Sequence, residues 1–72
     1  MNDSPSNLCP LSSRQIEVVW WMAEGKTAAE IGMILGITTY TVQTYIASAK
    51  DSAGAHKETA LVAIALRKGW IE

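Results

Sequence analysis

The sequence predicts an all-α domain of four short helices. Two patterns carry that reading: Ser or Thr caps answered three residues later by Gln or Glu, and apolar residues recurring at helical spacing until a glycine ends each run. No segment alternates apolar and polar residues with period two, so no sheet is expected.

The first helix is expected over Ser13–Glu24. Ser12 and Gln15 are spaced for a capping box, and Leu11 and Ile16 for a hydrophobic staple. Ile16, Val19, Trp20 and Ala23 form its stripe, with Trp20 read as core and Trp21 as partly exposed, and Gly25 is its stop. Thr27 and Glu30 form a second box for a helix over Ala28–Leu35, with Ile31, Ile34 and Leu35 apolar and Gly36 at its end. A helix so short depends on packing for its stability. Gly36-Ile37-Thr38 is a tight turn into a third helix, capped by Thr38 and stapled by Ile37 and Val42. Val42, Tyr45, Ile46, Ala49 and Ala53 fall on one face; Thr39, Tyr40, Gln43, Thr44, Ala47 and Ser48 fall on the other; Gly54 stops it. The fourth helix is expected over Lys57–Lys68, with Ala60, Leu61, Ile64 and Ala65 as its stripe, and Trp70 and Ile71 folding back past Gly69.

Composition agrees with one packed domain. Of 72 residues 49% are hydrophobic, three of them Trp, which suffices for a single core. Met1–Pro10, rich in Asn, Asp, Ser and Pro, reads as a flexible N-terminal tail, and residues 11–72 as the domain. Cys9 is the single cysteine, so it supports neither an internal disulfide nor a thiolate metal site, and a reducing cytoplasm is the expected setting. The longest apolar run, Ala60–Leu66, is far short of a membrane span. Paired carboxylates, a nucleophile–base set and a Gly-rich phosphate loop are all missing, so no enzyme, cofactor or metal is expected. His56 lacks partners for a metal and reads as an indifferent cap, and Cys9 lacks a base that would make it a nucleophile.

A short helix, a Gly-containing turn and a longer helix with a polar outer face make a helix-turn-helix. The first helix and the core buttress the second, whose outer face is free to enter a major groove. Such pairs also occur in bundles with no nucleic-acid role, and spacing alone leaves both readings open. Charge argues against DNA: six basic residues face seven acidic ones, for a net charge of −1, where a basic excess is usual.

Leu11-Ser12-Ser13-Arg14-Gln15-Ile16-Glu17-Val18-Val19 is similar to the opening of the LuxR/GerE-type DNA-binding domain, typically Leu-Thr-x-Arg-Glu-x-Glu-Val-Leu. Ala23-Glu24-Gly25-Lys26-Thr27, followed by Glu30-Ile31-Gly32-Met33-Ile34-Leu35-Gly36-Ile37-Thr38, resembles the version found in acyl-homoserine-lactone quorum-sensing regulators. Thr41-Val42 matches the Thr-Val heading that family's recognition helix, and Gly69-Trp70-Ile71 resembles its Gly-Leu-Ile ending. The resemblance implies a winged-helix-like three-helix core plus a C-terminal fourth helix, with a recognition helix over about 38–53 reading double-stranded DNA and a homodimer formed through the fourth helix. Carried over by position, base contacts fall to Thr39, Tyr40, Gln43, Thr44 and Ala47, and phosphate contacts to Lys26, Thr27, Thr41 and Lys50. Leu61, Ile64, Ala65 and Lys68 are expected at the dimer interface, although one side of that stripe must also feed the core.

The departures from the family pattern concentrate on function. A Lys or Arg usually follows Thr-Val and another basic residue often stands one turn on; here these are Gln43 and Ala47, and the frequent His is Tyr45. No basic residue occurs from Thr38 to Ala49, and the family's Lys-Leu becomes Ser52-Ala53. Gln43 keeps the ability to pair with adenine, whereas Thr44 and Ala47 offer a hydroxyl or a contact to a thymine methyl. Tyr40 and Tyr45 are open to a DNA role, Tyr45 also to a half-core one. Arg67 and Lys68 complement the dipole of the last helix, or make a contact across a dimer or to phosphate. Two functions follow: a transcription regulator binding DNA as a homodimer, or a protein-interaction module that pairs with a full-length LuxR-type regulator. These 72 residues leave no room for a lactone-sensing domain beside the helix-turn-helix.

Overall fold

A computed structural model describes residues 9–72. The expected tail falls almost wholly on residues 1–8, outside the described residues. The described residues form four helices in order, α1 (Ser13–Ala23), α2 (Ala28–Leu35), α3 (Thr39–Ala53) and α4 (Glu58–Arg67). The described residues contain no strand, so the likeness to a winged helix stops at its helices. Among the described residues no helix is long and apolar enough to cross a membrane.

Local chemistry places the helix starts. The Ser12 N–H donates to Gln15 Oε1 at 2.7 Å while the Gln15 N–H donates to Ser12 Oγ at 3.2 Å. The same reciprocal pair joins Thr27 and Glu30, at 2.8 and 3.2 Å. Each box satisfies N–H groups that a helix start leaves without partners. Thr38 caps α3 by accepting the Thr41 N–H at 3.0 Å. At α4 the cap position belongs to Lys57, whose side chain makes no capping bond, and His56 lies exposed one residue earlier. The capping role expected of His56 is therefore not filled.

The core gathers Leu11, Val18, Val19, Ile31, Val42, Ile46, Ala49, Leu61, Ala65 and Ile71 from all four helices and both flanks. At the C-terminal end the Trp70 N–H reaches the Ala65 carbonyl at 2.9 Å, which folds Ile71 into this core as expected.

Two stripes are rotated from their expected phase. In α1 the buried residues are Gln15, Val18 and Val19, whereas Ala23 is exposed and Trp20, read as core, is 38% exposed. Trp21 packs on the core instead, with the two indole rings edge to face at 4.9 Å. The physical reason is Gln15: it fills an inward position with a polar group, so the apolar pattern alone points one residue round the helix. Gln15 Nε2 meets its partner across the interface, donating to Ser48 Oγ on α3 at 2.9 Å.

In α2, Ile31 and Gly32 are buried and Ile34, expected inside, is 44% exposed. Gly32 explains the difference. A Cβ at this position would stand 2.7 Å from the Ile37 carbonyl oxygen, so the α2 backbone itself lies against the turn and the start of α3. Gly36, at φ 72°, takes the left-handed conformation that brings the Ile37 N–H back to the Gly32 carbonyl at 2.9 Å. The helix-turn-helix is thereby closed by backbone contact.

Candidate nucleic-acid interface

One side of α3 is sealed by Val42, Ile46 and Ala49, which fixes what its other side presents. Thr39, Tyr40, Gln43, Thr44 and Ala47 are all exposed, Tyr40 to 78%. Tyr40, Thr44, Ala47 and Asp51 follow one another at helical spacing along a single stripe, with Gln43 beside it. Thr44 is only partly available, because its hydroxyl donates to the Tyr40 carbonyl at 3.1 Å. Tyr45 is half-buried against the core and lies beside Arg14 of α1, so it joins α1 to α3.

The expected phosphate-facing residues lie at the ends of α2 and α3. Lys26 and Thr27 are exposed at the start of α2, Thr41 is half-buried at the start of α3, and Lys50 is half-buried in its last turn. Thr27 Oγ1 and Thr41 Oγ1 both act as acceptors inside the caps, from the Glu30 N–H and from the Thr38 hydroxyl at 2.9 Å. Thr41 keeps its own hydroxyl proton for an outside acceptor, whereas the Thr27 hydroxyl turns to the Glu30 carboxylate.

Much of the nearby positive charge is already answered. The Glu30 carboxyl is held below its usual range, first by the Thr27 backbone N–H it accepts and then by the Thr27 side chain, with a smaller pull from the Lys26 charge. Lys26 thus carries an anion beside it. Arg14 pairs with Glu17 at 3.0 Å, and its guanidinium is held more firmly protonated by that carboxylate first and by the Tyr45 hydroxyl as well. Lys50 has no carboxylate within ion-pair distance among the described residues.

Sequence reasoning passed over two residues here. Asp51 places a carboxylate on the outward stripe at the far end of α3. Arg14, met only as part of a motif, brings a cation to the flank of α3. Counting round the helix from Thr44 and Ala47 reaches Asp51; nothing in the sequence signals the Arg14–Tyr45 approach.

The residues expected at a dimer interface divide. Leu61 and Ala65 are completely buried within the protomer and have no surface to offer a partner. They face inward because α4 must seal the core beneath α1 and α3. Ile64 is half-buried and Lys68 exposed. The opposite side of α4 carries Thr59, Ala63 and Leu66, the last 50% exposed.

A capped two-helix unit closed at Gly32, with a clear outer face on the second helix, is the arrangement in which known relatives become informative. Residues 9–65 match the family described as bacterial regulatory proteins, luxR family. The chain belongs to the LuxR family. LuxR-family relatives include the quorum sensing-dependent transcriptional regulator VjbR of Brucella abortus, 39% identical over 97% of this chain and 27% of its own length. The transcriptional activator protein BjaR1 of Bradyrhizobium diazoefficiens is 44% identical over 79% of this chain and 24% of its own. The quorum sensing-dependent regulator RpaR of Rhodopseudomonas palustris is 44% identical over 85% and 25%. The LuxR-type domain described here thus spans about a quarter of the length of the curated relatives it matches.

Proposed function

We propose that this LuxR-family domain binds double-stranded DNA as a homodimeric transcriptional regulator, with α3 in the major groove. The observation that carries the reading is a single helix face. Thr39, Tyr40, Gln43, Thr44 and Ala47 stand clear of the protein on a helix whose other face is locked in the core and whose start is fixed against Gly32. Side chains held in this way reach base edges, while groups round the helix ends hold the backbone. Lys26, Thr27, Thr41 and Lys50 contact phosphate in this reading, and Arg14 adds charge at the flank. Dimerisation uses Ile64 and Lys68 from the original expectation together with Ala63 and Leu66 on the free side of α4. The printed names of the relatives, quorum sensing-dependent transcriptional regulators and an activator, support regulation of transcription.

A second reading is kept because of Asp51. A carboxylate on the outward stripe, on a chain of net charge −1, suits a surface that meets protein, pairing this domain with a full-length LuxR-type regulator.

Binding to a pool of bacterial promoter fragments at low and moderate salt separates the two. The DNA reading expects sequence preference that Gln43→Ala relaxes, and affinity that Lys50→Ala lowers for every fragment alike, with a salt slope shallower by about one. Binding with neither preference nor salt dependence rejects it in favour of the protein partner.

A further inference from the structure

We propose that the α3 face reads adjacent A·T pairs, by an amide on adenine and by methyl groups on thymine. The proposal rests on the DNA reading of this face and names the kind of site it selects.

The groups that read G·C pairs best are missing where α3 is deepest. Guanine is recognised chiefly by Arg or Lys and the cytosine amino group by a carboxylate. Between Thr39 and Ala47 the exposed side chains are neutral, and Lys50 and Asp51 come only in the last turn. Asp51 lies four residues past Ala47, about 6 Å farther along the axis.

What remains complements A·T. The Gln43 amide is exposed and has no hydrogen-bond partner among the described residues, so its oxygen and nitrogen are both free for the adenine N6 and N7. Thr44 is the decisive residue. Its hydroxyl proton is spent on the Tyr40 carbonyl at 3.1 Å, which fixes the side chain and leaves its methyl, rather than a donor, as the group that distinguishes bases. Ala47, three residues on and on the same stripe, adds a second methyl. An amide with two methyls to one side of it matches an adenine edge with thymine C5-methyl groups next to it.

The test begins by selecting bound duplexes from a randomised pool with the full 72-residue chain, then replaces thymine by deoxyuridine at single positions of the selected site. The proposal expects adjacent A·T pairs in the selected half-site. It also expects an affinity loss of about fourfold for each buried thymine methyl removed, at one or two positions. Thr44→Ser retains the bond to the Tyr40 carbonyl and removes only the methyl, so it abolishes the thymine–uracil difference at one position and leaves the other intact. Gln43→Ala removes the adenine preference. A selected site with G·C pairs at the centre of each half-site, or one indifferent to uracil, overturns the methyl readout while leaving DNA binding standing. Binding without enrichment overturns the A·T readout, and failure to retain any duplex even at low salt removes both; circular dichroism on the same sample shows that the chain was folded when it failed.

Discussion

At Gln15 a single amide serves two helices: its oxygen accepts the N–H that opens α1, and its nitrogen donates to Ser48 on α3. The residue is buried, so neither bond is easily replaced by water, and an unpaired partner costs more than an average surface hydrogen bond. Gln15→Ala is expected to destabilise the domain by about 1–2 kcal/mol in urea denaturation. Ser48→Ala costs less, and the double variant falls short of the sum because both changes remove the same bond. The outer face of α3 invites the opposite experiment. Gln43→Lys restores a cation where the family commonly has one, and Asp51→Asn removes the carboxylate from the stripe. Both are expected to raise DNA affinity at low salt. Gln43→Lys also steepens the salt dependence by about one unit and moves the preference at its base from adenine to guanine. A titration of labelled duplex at several salt concentrations reads all three effects.

Among the elements, α2 depends most on its surroundings, because eight residues hold little helix alone. Two devices support it. Its backbone lies against the turn at Gly32, where an added methyl meets the Ile37 carbonyl oxygen at 2.7 Å. Gly32→Ala therefore forces α2 and α3 apart and is expected to cost about 1–3 kcal/mol, with a drop in Tm and weaker DNA binding together. The other device is the Thr27–Glu30 capping box. Glu30 binds its proton less readily when folded than when unfolded. Its contribution is thus fully present above the unfolded carboxyl value, about 4.3, and is lost as pH falls through the lower folded value. Glu30→Gln keeps the cap with a neutral group and is expected to flatten this acid dependence, which thermal unfolding between pH 2 and 6 measures. The elements were largely legible in the sequence because their signals are local: Ser12–Gln15, Thr27–Glu30, Thr38 and the terminal glycines act within one turn. The phases of α1 and α2 were not, because Gln15 is a polar residue turned inward by a partner 33 positions away and Gly32 is buried for the space it leaves. The same limit held at the site. Helical spacing found the outward residues of α3, while the loss of the Thr44 donor and the approach of Arg14 to Tyr45 are visible only once neighbouring turns and helices are in place.

For the molecule as a whole, the balance of charge decides how DNA binding would have to work. Arg14, Lys26 and Lys50 are the cations of the proposed interface, and two of them already have a carboxylate beside them. Three charged phosphate contacts at most give a protomer a salt slope of about −3 and a small electrostatic share of affinity. A pair of protomers on a two-fold site doubles the contacts, to a slope of about −5, and makes the second engagement effectively intramolecular. Dimerisation is then a condition of affinity in the DNA reading, and α4 is where we propose that it occurs. Leu61 and Ala65 are sealed in the core, so the proposed contact is left to Ile64 and Lys68 on one flank of α4 and to Ala63 and Leu66 on the other. Leu66 is 50% exposed, and replacing it by Glu removes little packing from the protomer. Leu66→Glu is expected to leave the helical circular dichroism and Tm nearly unchanged while shifting sedimentation equilibrium to monomer, lowering DNA affinity more than tenfold and halving the salt slope. A variant that stays dimeric places the two-fold contact elsewhere on the surface. One that becomes monomeric yet binds DNA as before shows that a single α3 face suffices, against the weak field its neutral residues imply.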